Sequence, residues 1–289
     1  MFERVEKSKE FLITVAALRE RIASADETVV IDVRSPEEYT QGHIPGAVNA
    51  PEIFTHLPDG ITTEQEKEDF NRFYEKLFSM CGVESSETVI FYEDKYTLLS
   101  PRGFVILKYL GYDEDNILVL EGGFEQWKRA GYAIEENVNR NSEKQFLARP
   151  LDHFFVDYHQ MLEALDDESI VKLDVRDEDE WVGLSSSPYG RDFAPGKGRL
   201  PNATWIEWYD FISEDLLSRK NIEDLKLQME KRSITVDDEI ILYCFKGARV
   251  SNSYIALRKL GYEKIRIYFA GWNEWCRIPG APSINEFFS

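Results

Sequence analysis

Ile240-Ile241-Leu242-Tyr243-Cys244-Phe245-Lys246-Gly247-Ala248-Arg249 is the stretch from which the fold can be read. Its first four residues are an apolar run of strand length. Cys244 to Arg249 form a six-residue loop, and the amphipathic segment Val250 to Leu260 begins a helix immediately after the arginine. A cysteine delivered by a strand to the loop ahead of a helix faces backbone N–H groups and the positive end of the helix dipole. Both favour an anion. The thiolate is the reactive form of cysteine, so Cys244 is the candidate nucleophile.

The surroundings of this stretch occur twice. Val29-Val30-Ile31-Asp32-Val33-Arg34 is echoed by Ile170-Val171-Lys172-Leu173-Asp174-Val175-Arg176. A strand at Thr88 to Tyr92 and a helix ending in Leu110-Gly111-Tyr112 are echoed by Glu239 to Tyr243 and Leu260-Gly261-Tyr262. Gly122-Gly123-Phe124-Glu125-Gln126-Trp127 then answers Ala270-Gly271-Trp272-Asn273-Glu274-Trp275. In the first copy, helices are expected around Val15 to Ile22, Thr63 to Met80 and Pro101 to Leu110, with strands at Val29 to Val33, Val89 to Tyr92 and Ile117 to Leu120. Continuous apolar strands alternating with helices predict an α/β fold: two tandem domains, each a mainly parallel sheet with helices on both faces. Residues 1–138 form the first domain and 149–289 the second. The polar residues 139–148 between them read as an exposed linker.

The copies differ where it matters. Aligning Tyr92 with Tyr243 sets Glu93 opposite Cys244, and the first-copy loop is expected to be one residue longer before its helix. A carboxylate there repels any anion the loop would hold, so the first copy should be chemically silent. His43 and Arg199 lie 156 positions apart whereas Asp32 and Asp174 lie 142 apart, which leaves an insertion of fourteen residues in the second copy. With Arg199 this insertion carries Arg191 and Lys197 against a single acid, Asp192. These bases either wall the substrate pocket or sit on a solvated loop; Arg191 is the candidate for substrate contact.

Acidic residues outnumber basic ones 53 to 34, and a formal charge of −19 argues against a nucleic-acid or anionic-membrane partner. The apolar run Phe11 to Leu18 is too short to span a bilayer and lacks a signal-peptide cleavage pattern, which suggests a cytoplasmic protein. Cys81, Cys244 and Cys276 are widely spaced, as are the 4 histidines, so neither a disulfide framework nor a metal site is expected. Cys81 reads as packing. Cys276 reads either as packing or as an exposed thiol.

Together, Asp32-Val33-Arg34 with Gly42-His43-Ile44-Pro45-Gly46-Ala47, the repeat Asp174-Val175-Arg176 with Gly198-Arg199-Leu200-Pro201-Asn202-Ala203, the Cys244 loop and Gly271-Trp272-Asn273-Glu274-Trp275 resemble the tandem two-domain form of the rhodanese (thiosulfate sulfurtransferase) family. The resemblance spans nearly the whole chain. It implies a first domain without chemistry and a second in which Cys244 becomes a persulfide. Phe245, Lys246, Gly247, Ala248 and Arg249 would line the substrate, with Lys246 and Arg249 facing its negative charge. Glu180 would brace the loop arginine, with Asp174 as a further structural brace. The donor would be a small sulfur anion and the acceptor cyanide or a thiol, without cofactor or metal; nothing bears on oligomeric state. Mercaptopyruvate-specific relatives usually carry Cys-Gly-Ser/Thr-Gly at this loop, whereas the bulk and charge of Phe245 and Lys246 favour thiosulfate.

Other chemistries use related loops. Cysteine phosphatases and arsenate reductases place five residues between cysteine and arginine, and here there are four, a ring better sized for one sulfur atom than for phosphate. A 3-mercaptopyruvate sulfurtransferase remains an alternative. So does a persulfide carrier or regulatory module, because carrier and enzyme share the loop.

Overall fold

A computed structural model describes residues 10–24, 27–56, 58–213 and 222–285. The charged segment that opens the chain lies outside the described residues.

The first unit runs β1 (Leu12–Ile13), α1 (Val15–Ser24), β2 (Thr28–Asp32), α2 (Pro36–Thr40), β3 (Val48–Asn49), α3 (Glu52–Thr55), α4 (Glu64–Met80), β4 (Thr88–Tyr92), α5 (Leu99–Tyr109), β5 (Ile117–Leu120) and α6 (Gly123–Arg129). The second runs α7 (Tyr158–Ala164), β6 (Ile170–Asp174), α8 (Glu178–Trp181), β7 (Ala203–Trp205), α9 (Ile222–Glu230), β8 (Glu239–Tyr243), α10 (Ala248–Lys259), β9 (Ile265–Tyr268) and α11 (Gly271–Trp275). The sheets have the orders β1-β5-β4-β2-β3 and β7-β6-β8-β9, and every pairing between these strands is parallel. Phe155 bridges Ile267 in the second sheet, where β1 stands in the first. The short strands β1, β3 and β7 escape the sequence pattern because two or three residues show no periodicity.

β4 and β8 are buried along nearly their whole length, as strands covered on both faces must be. α4 starts where Thr63 and Glu66 cap one another: the Glu66 N–H donates to Thr63 Oγ1 at 3.2 Å, and the Thr63 N–H to Glu66 Oε2 at 2.7 Å. α10 begins at Ala248, so Arg249 lies inside its first turn rather than ahead of it. Six residues, Glu93 to Leu98, precede α5 against four, Cys244 to Gly247, before α10; the first-copy loop is longer by two residues, not one.

Residues 139–148 are mostly exposed and are hydrogen-bonded along the first domain. The Asn139 N–H donates to Tyr39 Oη at 3.0 Å, Asn141 Nδ2 to Cys81 O at 2.8 Å and the Ala148 N–H to Glu75 Oε2 at 2.8 Å, and Phe146 is buried. The asparagines that mimic a linker composition are here side chains that replace sheet or helix bonds. α5 of one domain packs on α10 of the other, and one hydrophobic cluster runs through both units.

Candidate active site

Tyr243, the last residue of β8, lies between Asp174 of β6 and Tyr268 of β9, so the loop leaves from the middle of the sheet. Its carbonyls are tied down by the start of α11: Trp272 N donates to Cys244 O at 2.8 Å and Asn273 N to Phe245 O at 3.1 Å. Gly271, at φ +61°, permits that approach, because a Cβ would collide with both carbonyls. Gly247, at φ +79°, ends the loop, and a Cβ there would lie 2.6 Å from the Phe269 ring. Among the described residues, the N–H groups of Phe245 to Arg249 find no protein acceptor. Cys244 therefore sits, 1% exposed, in a turn of free amide donors at the head of a twelve-residue helix.

The equivalent loop of the first copy is held the same way, with Phe124 N donating to Glu93 O and Glu125 N to Asp94 O, both at 2.8 Å. Here the donors are occupied by the chain itself. Glu93 Oε1 accepts from the N–H groups of Thr97, Leu99 and Ser100 at 3.2, 3.0 and 3.1 Å and from Ser100 Oγ at 2.9 Å. Burial pushes the Glu93 pKa up, against the pull of the Thr97 and Ser100 hydrogen bonds. The carboxyl group occupies the donors of its own loop, rather than only repelling an anion from them.

The two bases of the second loop are matched by acids. Arg249 is buried, with Nη1 on Glu180 Oε2, Nη2 on Glu180 Oε1 at 3.0 Å, and Asp177 Oδ2 3.2 Å from Nη1. Burial alone would lower the Arg249 pKa, and fully buried Glu180 more than reverses this. Lys246 Nζ lies 3.2 Å from Asp59 Oδ1, a first-domain carboxylate that is itself 89% exposed. Asp174 reaches neither: it takes the Arg176 guanidinium, as Asp32 takes Arg34, and Arg176 Nη2 continues to Gly198 O at 2.8 Å as Arg34 does to Gly42 O. A pairing present in both copies braces the end of β6, the strand beside the one that leads to the loop, and not the loop arginine. Arg191 is also away from the thiol. Its Nε donates to Leu184 O at 3.1 Å, and it lines a separate surface hollow with Asp179 and Ser187. Asp177, Asp179 and Glu180 lie close enough together to share a cation, but two of the three are committed to Arg249.

Cys244, Phe245, Lys246, Ala248 and Arg249 line a cavity of about 300 Å³ whose other walls are Phe54, Leu98, Asp177, Pro188, Tyr189, Trp208 and Tyr209. Phe54 and Leu98 come from the first domain. The insertion contributes Pro188 and Tyr189 rather than its bases, and the rings of Tyr189 and Phe193 stand edge-on to Phe245 at 5.7 and 6.1 Å. Asp177 also accepts from Trp208 Nε1 at 2.7 Å, coupling the arginine clamp to the aromatic wall. The sequence reading missed these aromatic residues, because nothing in their spacing marks a common wall. Asp177 could have been found as the residue three before Glu180 at a helix start. Cys276 is half-buried with Sγ 3.7 Å from Asn273 O, and burial pushes its thiol pKa up; burial drives that of Cys81 to about 12. Both suit packing.

Comparison with known proteins agrees with this duplication. The rhodanese-like domain family matches residues 14–130 and again 157–278. A Haloferax volcanii protein provisionally named thiosulfate sulfurtransferase is 28% identical over 257 residues, covering 88% of this chain and 87% of its own. The Thermus thermophilus sulfur carrier protein TtuD is 27% identical over 280 residues, covering 91% and 90%. The Arabidopsis thaliana thiosulfate/3-mercaptopyruvate sulfurtransferase 2 is 23% identical, covering 92% and 82%. In fold, the chain is similar to the anaerobic ergothioneine biosynthesis enzyme of Chlorobium limicola, crystallised with trimethyl histidine, at a TM-score of 0.81 and 22% identity over 99% of this chain and 72% of that one. With two matched segments that take up most of its length, the chain belongs to the rhodanese family as a tandem of two rhodanese-like domains.

Proposed function

We propose that this rhodanese-type sulfurtransferase moves sulfane sulfur from thiosulfate through a Cys244 persulfide to cyanide or a thiol. The observation that carries this reading is the pair of loops, anchored alike by α6 and α11: the first is filled by its own Glu93 side chain, and the second has free amide donors around Cys244. A cradle of amide donors that holds a buried carboxyl group in one copy suits a thiolate and its persulfide in the other.

In the forward step the Cys244 thiolate attacks the outer sulfur of thiosulfate. The S–S bond of the donor breaks, its electron pair leaves with sulfite, and Cys244 becomes a persulfide anion. Attack by cyanide on the terminal sulfur then yields thiocyanate and restores the thiolate, with no proton relay required. Lys246 is the base able to meet the donor, since its partner Asp59 is exposed and gives way at little cost, whereas Arg249 stays bound to Glu180 and holds the shape of the helix start.

The aromatic lining favours a second reading in which the donor is 3-mercaptopyruvate, because about 300 Å³ exceeds what thiosulfate fills. Intact mass after incubation with each donor tests both. The proposal expects a gain of one sulfur atom with thiosulfate, absent in Cys244→Ser, and thiocyanate production on adding cyanide. Sulfur loading by 3-mercaptopyruvate alone would replace thiosulfate as donor, and no loading by either would remove the persulfide mechanism.

A further inference from the structure

Among the described residues, three cations meet at the Cys244 loop, and two of them have acids. Arg249 has Glu180 and Asp177, and Lys246 has Asp59. The third is Arg102, on α5 of the domain whose loop carries Glu93 in place of a cysteine. It is 1% exposed, no carboxylate pairs with it among the described residues, and its Nε has no hydrogen-bond partner. A buried guanidinium without a counter-ion is costly, so the fold keeps it there against its own stability.

Its other atoms point to a use. Arg102 Nη1 donates to Lys246 O at 2.7 Å, its Nη2 lies 3.5 Å from His56 O, and its Cζ lies 4.9 Å from the centre of the Phe269 ring, the same ring that backs Gly247. Lys246 O belongs to the peptide unit whose N–H is that of Gly247, inside the loop. A charged donor on a carbonyl polarises the whole amide and makes its N–H a stronger donor. The Tyr189 phenol in the cavity wall, whose pKa burial raises, feels both groups, with Arg102 pulling its pKa down and Cys244 pushing it up.

The arrangement is one-sided. Aligned through the matching helix ends Leu110-Gly111-Tyr112 and Leu260-Gly261-Tyr262, Arg102 of α5 corresponds to Asn252 of α10, a buried but uncharged side chain. The loop filled by Glu93 thus receives no matching cation from the second domain, and the loop with the thiol receives one from the first.

We infer that Arg102 is a positioning residue for Cys244: from the opposite domain it fixes the Lys246 carbonyl, and its unmatched charge strengthens the loop amides that hold the sulfur anion. The inference rests on Cys244 working as an anion, and it gives the domain whose own loop has no thiol a part in the reaction.

Full-length Arg102→Gln and Arg102→Lys test it by two readouts. The first is the rate of Cys244 alkylation by iodoacetamide at pH 7.5 with no sulfur donor present, followed on the Cys244 peptide by mass spectrometry. The second is kcat and KM with thiosulfate and cyanide. Gln keeps a donor for Lys246 O without the charge, and Lys keeps the charge. The expected result is that Gln slows alkylation and kcat about tenfold with KM within about twofold, while Lys stays within about threefold of the unaltered protein. Alkylation of the Gln protein at the full rate, equal losses in Gln and Lys, or a raised KM with unchanged kcat would each overturn the inference. If Gln does not fold, a folded Lys protein that alkylates tenfold slower overturns it as well. Because alkylation needs no donor, a protein that fails to use thiosulfate removes the proposed donor and leaves this result to be judged alone.

Discussion

Glu93 and Cys244 stand at the same point of two copies of one loop, each with its carbonyl held at 2.8 Å by the first turn of the last helix of its unit, α6 or α11. Their side chains meet the same kind of backbone donor in different ways, and single substitutions separate them. Glu93→Ala leaves buried N–H and hydroxyl donors of Thr97 and Ser100 without an acceptor, which costs about 2–3 kcal/mol. Glu93→Gln keeps one acceptor oxygen and should cost under about 1 kcal/mol. Urea denaturation of both variants measures the difference, and equal losses would mean that Glu93 is not the loop's internal acceptor. In the second copy Lys246 must leave Asp59 to meet a donor, and an exposed ion pair is worth about 0.2–1 kcal/mol. Asp59→Asn should therefore lower KM for thiosulfate by about two- to fivefold with kcat unchanged, whereas Lys246→Ala should raise it. Steady-state kinetics at low ionic strength check this, and an unaltered KM in Asp59→Asn would show that Lys246 does not bind the donor.

Among the elements, the segment joining the domains behaves least as its composition implies. Glu87, at the start of β4, takes Lys144 of that segment and the N–H groups of Glu84 and Ser85 at 3.1 Å each. Burial pushes its pKa up, but the Lys144 pair and these amides win and bring it from 4.5 to about 2. A depressed carboxylate stabilises the fold above its unfolded pKa and loses that contribution as pH falls through the folded one. Glu87→Gln should thus cost about 2 kcal/mol at pH 7, and the gap should shrink as pH falls from about 4.5 towards 2. Denaturation midpoints at pH 7 and pH 3 decide this; a gap independent of pH would refute the ion-pair account. The sequence showed the strands and helices that recur, because apolar runs bounded by Gly-Tyr and a capped helix start are local signals. It showed Cys244 and Glu180 through motif order. It could not show that Asn139, Asn141 and Phe146 pin the linker, or that Pro188 and Tyr189 rather than Arg191 face the thiol. Those facts depend on which surfaces the two sheets bring together, and no spacing within one copy encodes them.

In the whole molecule the site belongs to both domains. The cavity needs Phe54 and Leu98 from the first, and Lys246 touches Asp59 and Arg102 from it. The surface between the domains is a core rather than a contact. Phe70 and Tyr109 of the first domain pack on Phe155 and Phe269 of the second, Tyr109 and Phe155 stack at 4.1 Å, and Glu274 accepts from Thr62 Oγ1 at 2.9 Å. Glu114 holds Tyr254 Oη at 2.8 Å and Arg258 Nη2 at 3.0 Å across the same boundary, inside a layer of buried rings. Residues 149–289 alone would expose Phe155, Phe269 and Tyr254 and leave Arg258 without its acid. No membrane-spanning helix exists among the described residues to hide such a face. A hydrophobic boundary of this kind couples the unfolding of its two sides, because losing either exposes the apolar surface of the other. Calorimetry should therefore give one transition for the full chain, with van't Hoff and calorimetric enthalpies equal. Glu114→Ala, which strands Arg258 and Tyr254, should lower its midpoint by several degrees without splitting it. Two resolved transitions in the unaltered protein, or a soluble and active 149–289 fragment, would mean that the domains are independent and that the second forms its pocket unaided.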